Sequence, residues 1–99
     1  MIKVYLIDIS RKFGFEECIK HFPKRYEDAK RYRYNDDVLR SYAVGVLLWK
    51  VLGLEDCDIE YEKNGKPFSR KTDMRFNISH SGKWVALAVD NDEVGVDIE

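Results

Sequence analysis

Asp97 and Glu99 lie two residues apart in the closing segment Val94 to Glu99, with Gly95 beside them. Residues two apart in a strand share a face, so the two carboxylates stand on one side, about 6–7 Å apart along the backbone, and Val94, Val96 and Ile98 on the other. Such a pair can hold one hard cation, and magnesium accepts carboxylate oxygens together with phosphate oxygens. An ordinary strand with a solvated acidic face shows the same pattern. A second group is Ser79, His80 and Ser81, followed by Gly82, in a short polar stretch between apolar segments. Hydroxyls and an imidazole can donate to phosphate oxygens, most strongly when the imidazole is protonated. A serine nucleophile with His80 as base fits less well, because neighbours in extended chain point apart, and a plain structural loop fits the composition too. Arg40 and Ser41 fall in the first turns of a predicted long helix and Arg25 in the first turn of the one before it. Helix starts favour anions and arginine matches phosphate geometry, although Arg40 would also make an ordinary surface partner for Asp36 and Asp37. Lys66, beside Asn64-Gly65, has the look of a solvated loop lysine.

These groups need elements to position them. Lys3 to Ile9 alternates and predicts a strand with one apolar face. Phe15 to Phe22 predicts a short helix with Phe15, Cys18, Ile19 and Phe22 on one stripe. Pro23 opens a second helix through the polar and aromatic stretch up to Tyr34, because its missing N–H costs little at that position. The longest helix runs from Asp36 to about Leu52, capped by Asn35, with Gly53 just past its end. Its apolar run from Val46 to Trp49 predicts enclosure on more than one side. Ile59 to Lys63 is a strand entering the Asn64-Gly65 turn, and Pro67 keeps the residues around it away from a central strand position. Arg75 to Ile78 is a strand, interrupted at Ser79–Gly82 and resumed over Trp84 to Val89. Asn91 to Glu93 turn, and Val94 to Ile98 is the last strand. The fold class expected is α+β, a single domain over 1–99 with helices packed on one face of a largely antiparallel sheet.

Composition narrows the function classes. The 99 residues suffice for one modest domain, and 17 basic against 18 acidic side chains give a net charge of -1. That balance argues against nucleic acid as a partner. No segment approaches the roughly 20 apolar residues of a membrane span, so no membrane partner is expected and the expected location is cytoplasmic. Charge is nonetheless segregated. Lys24, Arg25, Lys30, Arg31, Arg33 and Arg40 cluster, and Asp90, Asp92, Glu93, Asp97 and Glu99 crowd the carboxyl end. The cysteines Cys18 and Cys57 have no metal-ligand spacing, and Cys18 is expected to be a buried thiol.

Three blocks occur in order: Asn64-Gly65-Lys66-Pro67, then Phe76-Asn77-Ile78-Ser79-His80-Ser81-Gly82, then Gly95-Val96-Asp97-Ile98-Glu99. With Asp37-Val38-Leu39-Arg40-Ser41 opening the long helix and Trp84 between the later blocks, the chain resembles the amino-terminal half of the surfactin-synthetase-type 4'-phosphopantetheinyl transferases. The resemblance implies one half of a pseudo-duplicated fold and a holo-carrier-protein synthase activity, moving phosphopantetheine from coenzyme A to a serine of an apo-carrier protein. It implies that Arg25, Arg40 and His80 contact the phosphates of coenzyme A, that Ser41, Lys66, Pro67 and Ser79 line its adenosine part, and that Asp97 and Glu99 are magnesium ligands. The family's second half carries a further Glu ligand and a Trp-x-x-Lys-Glu helix motif, both missing here, and Glu27 and Asp28 stand where positive charge would help. The chain is therefore expected to be inactive alone and to need a complementary carboxy-terminal half or a second copy of itself. The competing expectation is a non-catalytic fragment that binds coenzyme A or self-associates.

Overall fold

The computed structural model describes residues 2–90. Among these residues, five strands and three helices occur in the order β1 (Lys3–Asp8), α1 (Glu16–His21), α2 (Pro23–Ala29), α3 (Asn35–Leu52), β2 (Glu60–Tyr61), β3 (Pro67–Phe68), β4 (Arg75–Ser81) and β5 (Trp84–Asp90). A short 3-10 turn, Asp56–Asp58, separates α3 from β2. The larger sheet has the order β1-β5-β4, antiparallel throughout, and β2 and β3 form a separate two-stranded ribbon. This is the α+β arrangement expected, with helices against a mostly antiparallel sheet.

Alternation along the sheet sorts its side chains. Tyr5, Ile7, Phe76, Ile78, Val85, Leu87 and Val89 share the face toward α3, since residues paired across antiparallel strands point the same way. Val4 and Leu6, with Ala86 and Ala88, share the opposite face, where Val4 and Leu6 remain 51% and 55% exposed. Helix α3 lies on the first face and is itself covered by α1 and α2. It is therefore buried nearly all round over its second half, through Tyr42, Ala43, Gly45, Val46, Leu47 and Leu48. That accounts for its uninterrupted apolar run, which a one-sided surface helix would not carry. Gly53 ends it in the left-handed region at φ 67, and the N–H groups of Gly53 and Leu54 take up the carbonyls of Trp49 and Leu48 at 2.8 and 3.2 Å.

Four boundaries differ from expectation. Helix α2 stops at Ala29 rather than running on to Tyr34, because the N–H groups of Lys30, Arg31 and Tyr32 reach back three residues to Glu27, Asp28 and Ala29. Such tightened bonds close a last turn, and the charged segment beyond has no apolar face to hold it on the protein. Asn35 lies inside α3. The residue ahead of the helix is the extended Tyr34, with no side-chain cap. The strand expected over Ile59 to Lys63 is reduced to Glu60–Tyr61, because Glu62 already belongs to the turn, bonding Lys66 and Gly65 through its N–H and carbonyl. Finally, β4 runs unbroken through Ser79 and His80, which pair with Ala86 and Val85. Backbone pairing needs no apolar side chain, so the polar stretch is a continuation of the strand and only Gly82 and Lys83 form the turn. The turn and last strand expected over 91–98 lie outside the described residues.

Two core features anchor the helical layer. His21 stacks on Trp49 with centroids 3.4 Å apart, its nitrogens facing Glu17 and Glu55 at 3.4 and 3.7 Å. Cys18 is fully buried, as its place on the helical stripe predicts, and a methyl placed on Gly45 would meet its sulfur at 2.8 Å. Gly45→Ala should therefore destabilise the protein by about 1–2 kcal/mol through overpacking, outweighing alanine's better helix propensity. In a Cys18→Ala background the loss should vanish. Urea unfolding midpoints of the four proteins check this. Burial pushes the Cys18 thiol up to about 11, so a water-soluble thiol reagent at pH 8 should label only the exposed Cys57 in the folded chain and both cysteines in denaturant.

Candidate phosphate-binding site

Asp37, Arg40, Ser41 and Val44 recur at the spacing that puts helical residues on one face. They occupy the first turns of α3, before that helix becomes fully enclosed. Arg25 from α2, Tyr32 from the loop after it, His80 from β4 and Val85 from β5 complete a cleft of about 400 Å³ around them. Its basic side chains are the guanidinium groups of Arg25 and Arg40 and the imidazole of His80, and its carboxylate is Asp37. Arg25 Nη1 donates to Ser41 Oγ at 3.3 Å. Arg40 Nη2 lies 2.5 Å from Asp37 Oδ1, and Arg40 Nη1 donates to the Gly82 carbonyl at 2.8 Å.

The turn that Arg40 grips is a two-residue hairpin connection between Ser81 and Trp84. Gly82 has φ 55, a region that costs glycine nothing and that such tight turns require at their first residue. The next carbonyl, of Lys83, accepts from the N–H of Ile9 at 2.8 Å. Lys83 Nζ also lies 3.6 Å from the Asp8 carboxylate, which Ser10 holds below the usual carboxylate range by hydrogen bonding from its hydroxyl. Both carbonyls of the turn are thus engaged, one by Arg40 and one by Ile9.

Arg25, Arg40, Ser41 and His80, drawn from three elements, meet in this one cleft. Lys66 and Pro67 do not line it. They border a second cavity, about 410 Å³, between the β2–β3 ribbon and the start of β4, with Glu62, Phe68, Met74 and Arg75 among its other walls. Ser79 faces the opposite side of β4 from His80, in register with Ala86 and Leu6. Asp97 and Glu99 lie outside the described residues. Among the described residues, no three His, Cys, Asp or Glu side chains come together in a way that could hold a metal ion.

Asp37 and Tyr32 are not singled out by sequence as parts of a site. The Asp37–Arg40–Ser41–Val44 periodicity is a usable signal for the first, since a shared helical face follows from spacing alone. Nothing in the local sequence signals Tyr32, because its place at the cleft depends on α2 ending early.

The residues 13–92 match the family model described as "4'-phosphopantetheinyl transferase, N-terminal". The chain belongs to the 4'-phosphopantetheinyl transferase family and corresponds to the amino-terminal domain of its surfactin-synthetase-associated type. It is 33% identical over 109 aligned residues to 4'-phosphopantetheinyl transferase Sfp of Bacillus subtilis (strain 168), an alignment covering 99% of this chain and 49% of that protein. A 4'-phosphopantetheinyl transferase of Bacillus subtilis is 39% identical over 87 residues, 85% of this chain and 36% of the relative. The psf-1 transferase of Bacillus pumilus is 41% identical over 78 residues, 72% of this chain and 34% of the relative. The chain thus spans half or less of the length of these curated relatives. No helix among the described residues is long and apolar enough to cross a membrane.

Gly82→Ala should cost about 1–2 kcal/mol, because a Cβ in the left-handed region crowds the following carbonyl while no neighbouring group offers it compensating contact. Gly53→Ala, equally open and equally left-handed, should cost a similar amount. Chemical denaturation checks both.

Proposed function

We propose that this chain supplies the phosphate-gripping part of a 4'-phosphopantetheinyl transferase, which moves the phosphopantetheine arm of coenzyme A to the hydroxyl of a carrier-protein serine. The observation that carries this reading is the meeting of Arg25, Arg40, Ser41 and His80 in one cleft, within a chain whose family is defined by that transfer.

Coenzyme A offers a diphosphate and a 3'-phosphate, and the cleft offers two guanidinium groups and an imidazole. Guanidinium nitrogens match phosphate oxygens in a planar fork, and charge-assisted bonds of this kind are about twice as strong as neutral ones. Arg25, Arg40 and His80 bind these oxygens, and Ser41, held by Arg25, adds a hydroxyl. Lys66 and Pro67 take the adenosine end in the cavity beside the β2–β3 ribbon. Because β4 is an edge strand of the described sheet, a ligand lying along that edge meets His80 from one face and Ser79 from the other. Asp97 and Glu99 are the residues that would hold magnesium, which when bound would supply counter-charge to the diphosphate.

In the transfer itself the carrier serine oxygen bonds to the β-phosphorus, the bond to the bridging oxygen breaks, and adenosine 3',5'-bisphosphate leaves. Negative charge grows on the leaving phosphate, and the cationic side chains of the cleft sit where they can offset it. The nucleophile comes from the carrier protein, so this chain's own contribution is positioning and charge compensation. A complementary carboxy-terminal half, or a second copy of the chain, completes the catalytic centre.

Calorimetric titration with coenzyme A tests the binding part. The chain should bind it, and Arg25→Ala and Arg40→Ala should each weaken binding by about 10- to 100-fold, the range for a lost hydrogen bond to a charged group. No binding at millimolar coenzyme A, or alanine variants that bind like the parent, would overturn the assignment. Mixing the chain with a separately made second half, magnesium, coenzyme A and apo-carrier protein should yield holo-carrier protein. Turnover by the chain alone would remove the need for a complement.

A further inference from the structure

A carboxylate in a phosphate pocket is at first sight a mistake. Asp37 lines the same cleft as Arg25, Arg40 and His80, and its charge repels any phosphate placed there. Its geometry assigns it a different task. Asp37 Oδ1 lies 2.5 Å from one terminal nitrogen of Arg40, while the other terminal nitrogen donates to the Gly82 carbonyl at 2.8 Å. A planar guanidinium held at both η nitrogens cannot rotate out of its plane. Without Asp37 it would hang from a flexible stem by one bond to a turn. The Arg40 side chain is only 19% exposed and Asp37 41%, so the pair is partly screened from water while Asp37 still touches the cleft. The spacing is built in, since residues three apart on a helix are neighbours.

We propose that Asp37 is a positioning residue of the phosphate site, fixing the Arg40 guanidinium between the start of α3 and the β4–β5 turn so that its remaining N–H groups are ready for the ligand. This rests on the reading of the cleft as a phosphate site. Repulsion and positioning predict opposite signs on removing the carboxylate, which makes the two separable.

The test is calorimetric titration of the 99-residue chain with adenosine 3',5'-bisphosphate, comparing the parent with Asp37→Ala, Asp37→Asn, Arg40→Ala and the Asp37→Ala/Arg40→Ala double variant. Positioning predicts that Asp37→Ala weakens binding about tenfold, the scale of one charge-assisted hydrogen bond, even though a repelling charge has gone. Asp37→Asn, which keeps the acceptor oxygen, should recover most of that loss. In the Arg40→Ala background there is no guanidinium left to hold, so Asp37→Ala should not weaken binding and should tighten it. Tighter or unchanged binding by Asp37→Ala in the parent background would overturn the proposal, as would an asparagine variant no better than alanine. If the alanine variant does not fold, the asparagine variant decides, since it must bind far better than Arg40→Ala. Failure of the parent itself to bind the bisphosphate would instead overturn the phosphate reading of the cleft.

Discussion

Burial of helix α3 between the central strand and the α1–α2 pair is the constraint on which the rest of the molecule depends. Its second half is enclosed by Val85, Leu87 and Val89 on one side and by Cys18 and Phe22 on the other. Burial on this scale fixes the helix against both translation and rotation, because interiors are too closely packed to let it slide. The rotational setting then decides where the first turns point. With the second half sunk in the core, Asp37, Arg40, Ser41 and Val44 are left at the open end, where α2, β4 and β5 converge. Core and cleft are successive stretches of one helix, and a change to its register would disturb both.

The larger sheet and the long helix are legible in the sequence because they rest on periodicity. Val4 and Leu6 alternate with Tyr5 and Ile7 as a strand must, and Gly53 marks the end of α3 as its backbone requires. The features that are not legible depend on partners distant in sequence. Ser79 and His80 look like a break in a strand, yet the chain continues extended because Ala86 and Val85 stand opposite as their backbone partners. Helix α2 ends early because nothing apolar beyond Ala29 draws the chain onto the core, a fact about packing rather than helical preference. The site shows the same division. Residue types and short blocks single out Arg25, Arg40, Ser41 and His80, which the fold gathers into one cleft. The separation of Lys66 and Pro67 into a different cavity follows from the β2–β3 ribbon being a sheet of its own, which no local pattern states.

Two cavities among the described residues differ in character. The cleft around Arg40 concentrates cationic donors, and the cavity at Lys66 and Pro67 is bordered by Phe68 and Met74 as well as charged groups. The outer face of the sheet adds a separate feature. Val4 and Leu6 stay half in water beside the fully covered Ala86 and Ala88, in a chain that spans half or less of the length of its relatives.

The Gly82–Lys83 turn also bears on how such a chain can drift over evolutionary time. Surface connections generally absorb inserted residues cheaply, since lengthening a flexible loop costs little entropy. This hairpin is an exception, because one of its two carbonyls is occupied by Arg40 and the other by Ile9. An extra residue would pull at least one of them away from its donor, loosening Arg40 or the end of the first strand. Length variation among descendants of this chain should therefore accumulate in the 62–66 connection, where Glu62 bonds Gly65 and Lys66 within the turn itself, and spare the two-residue reversal beside the cleft.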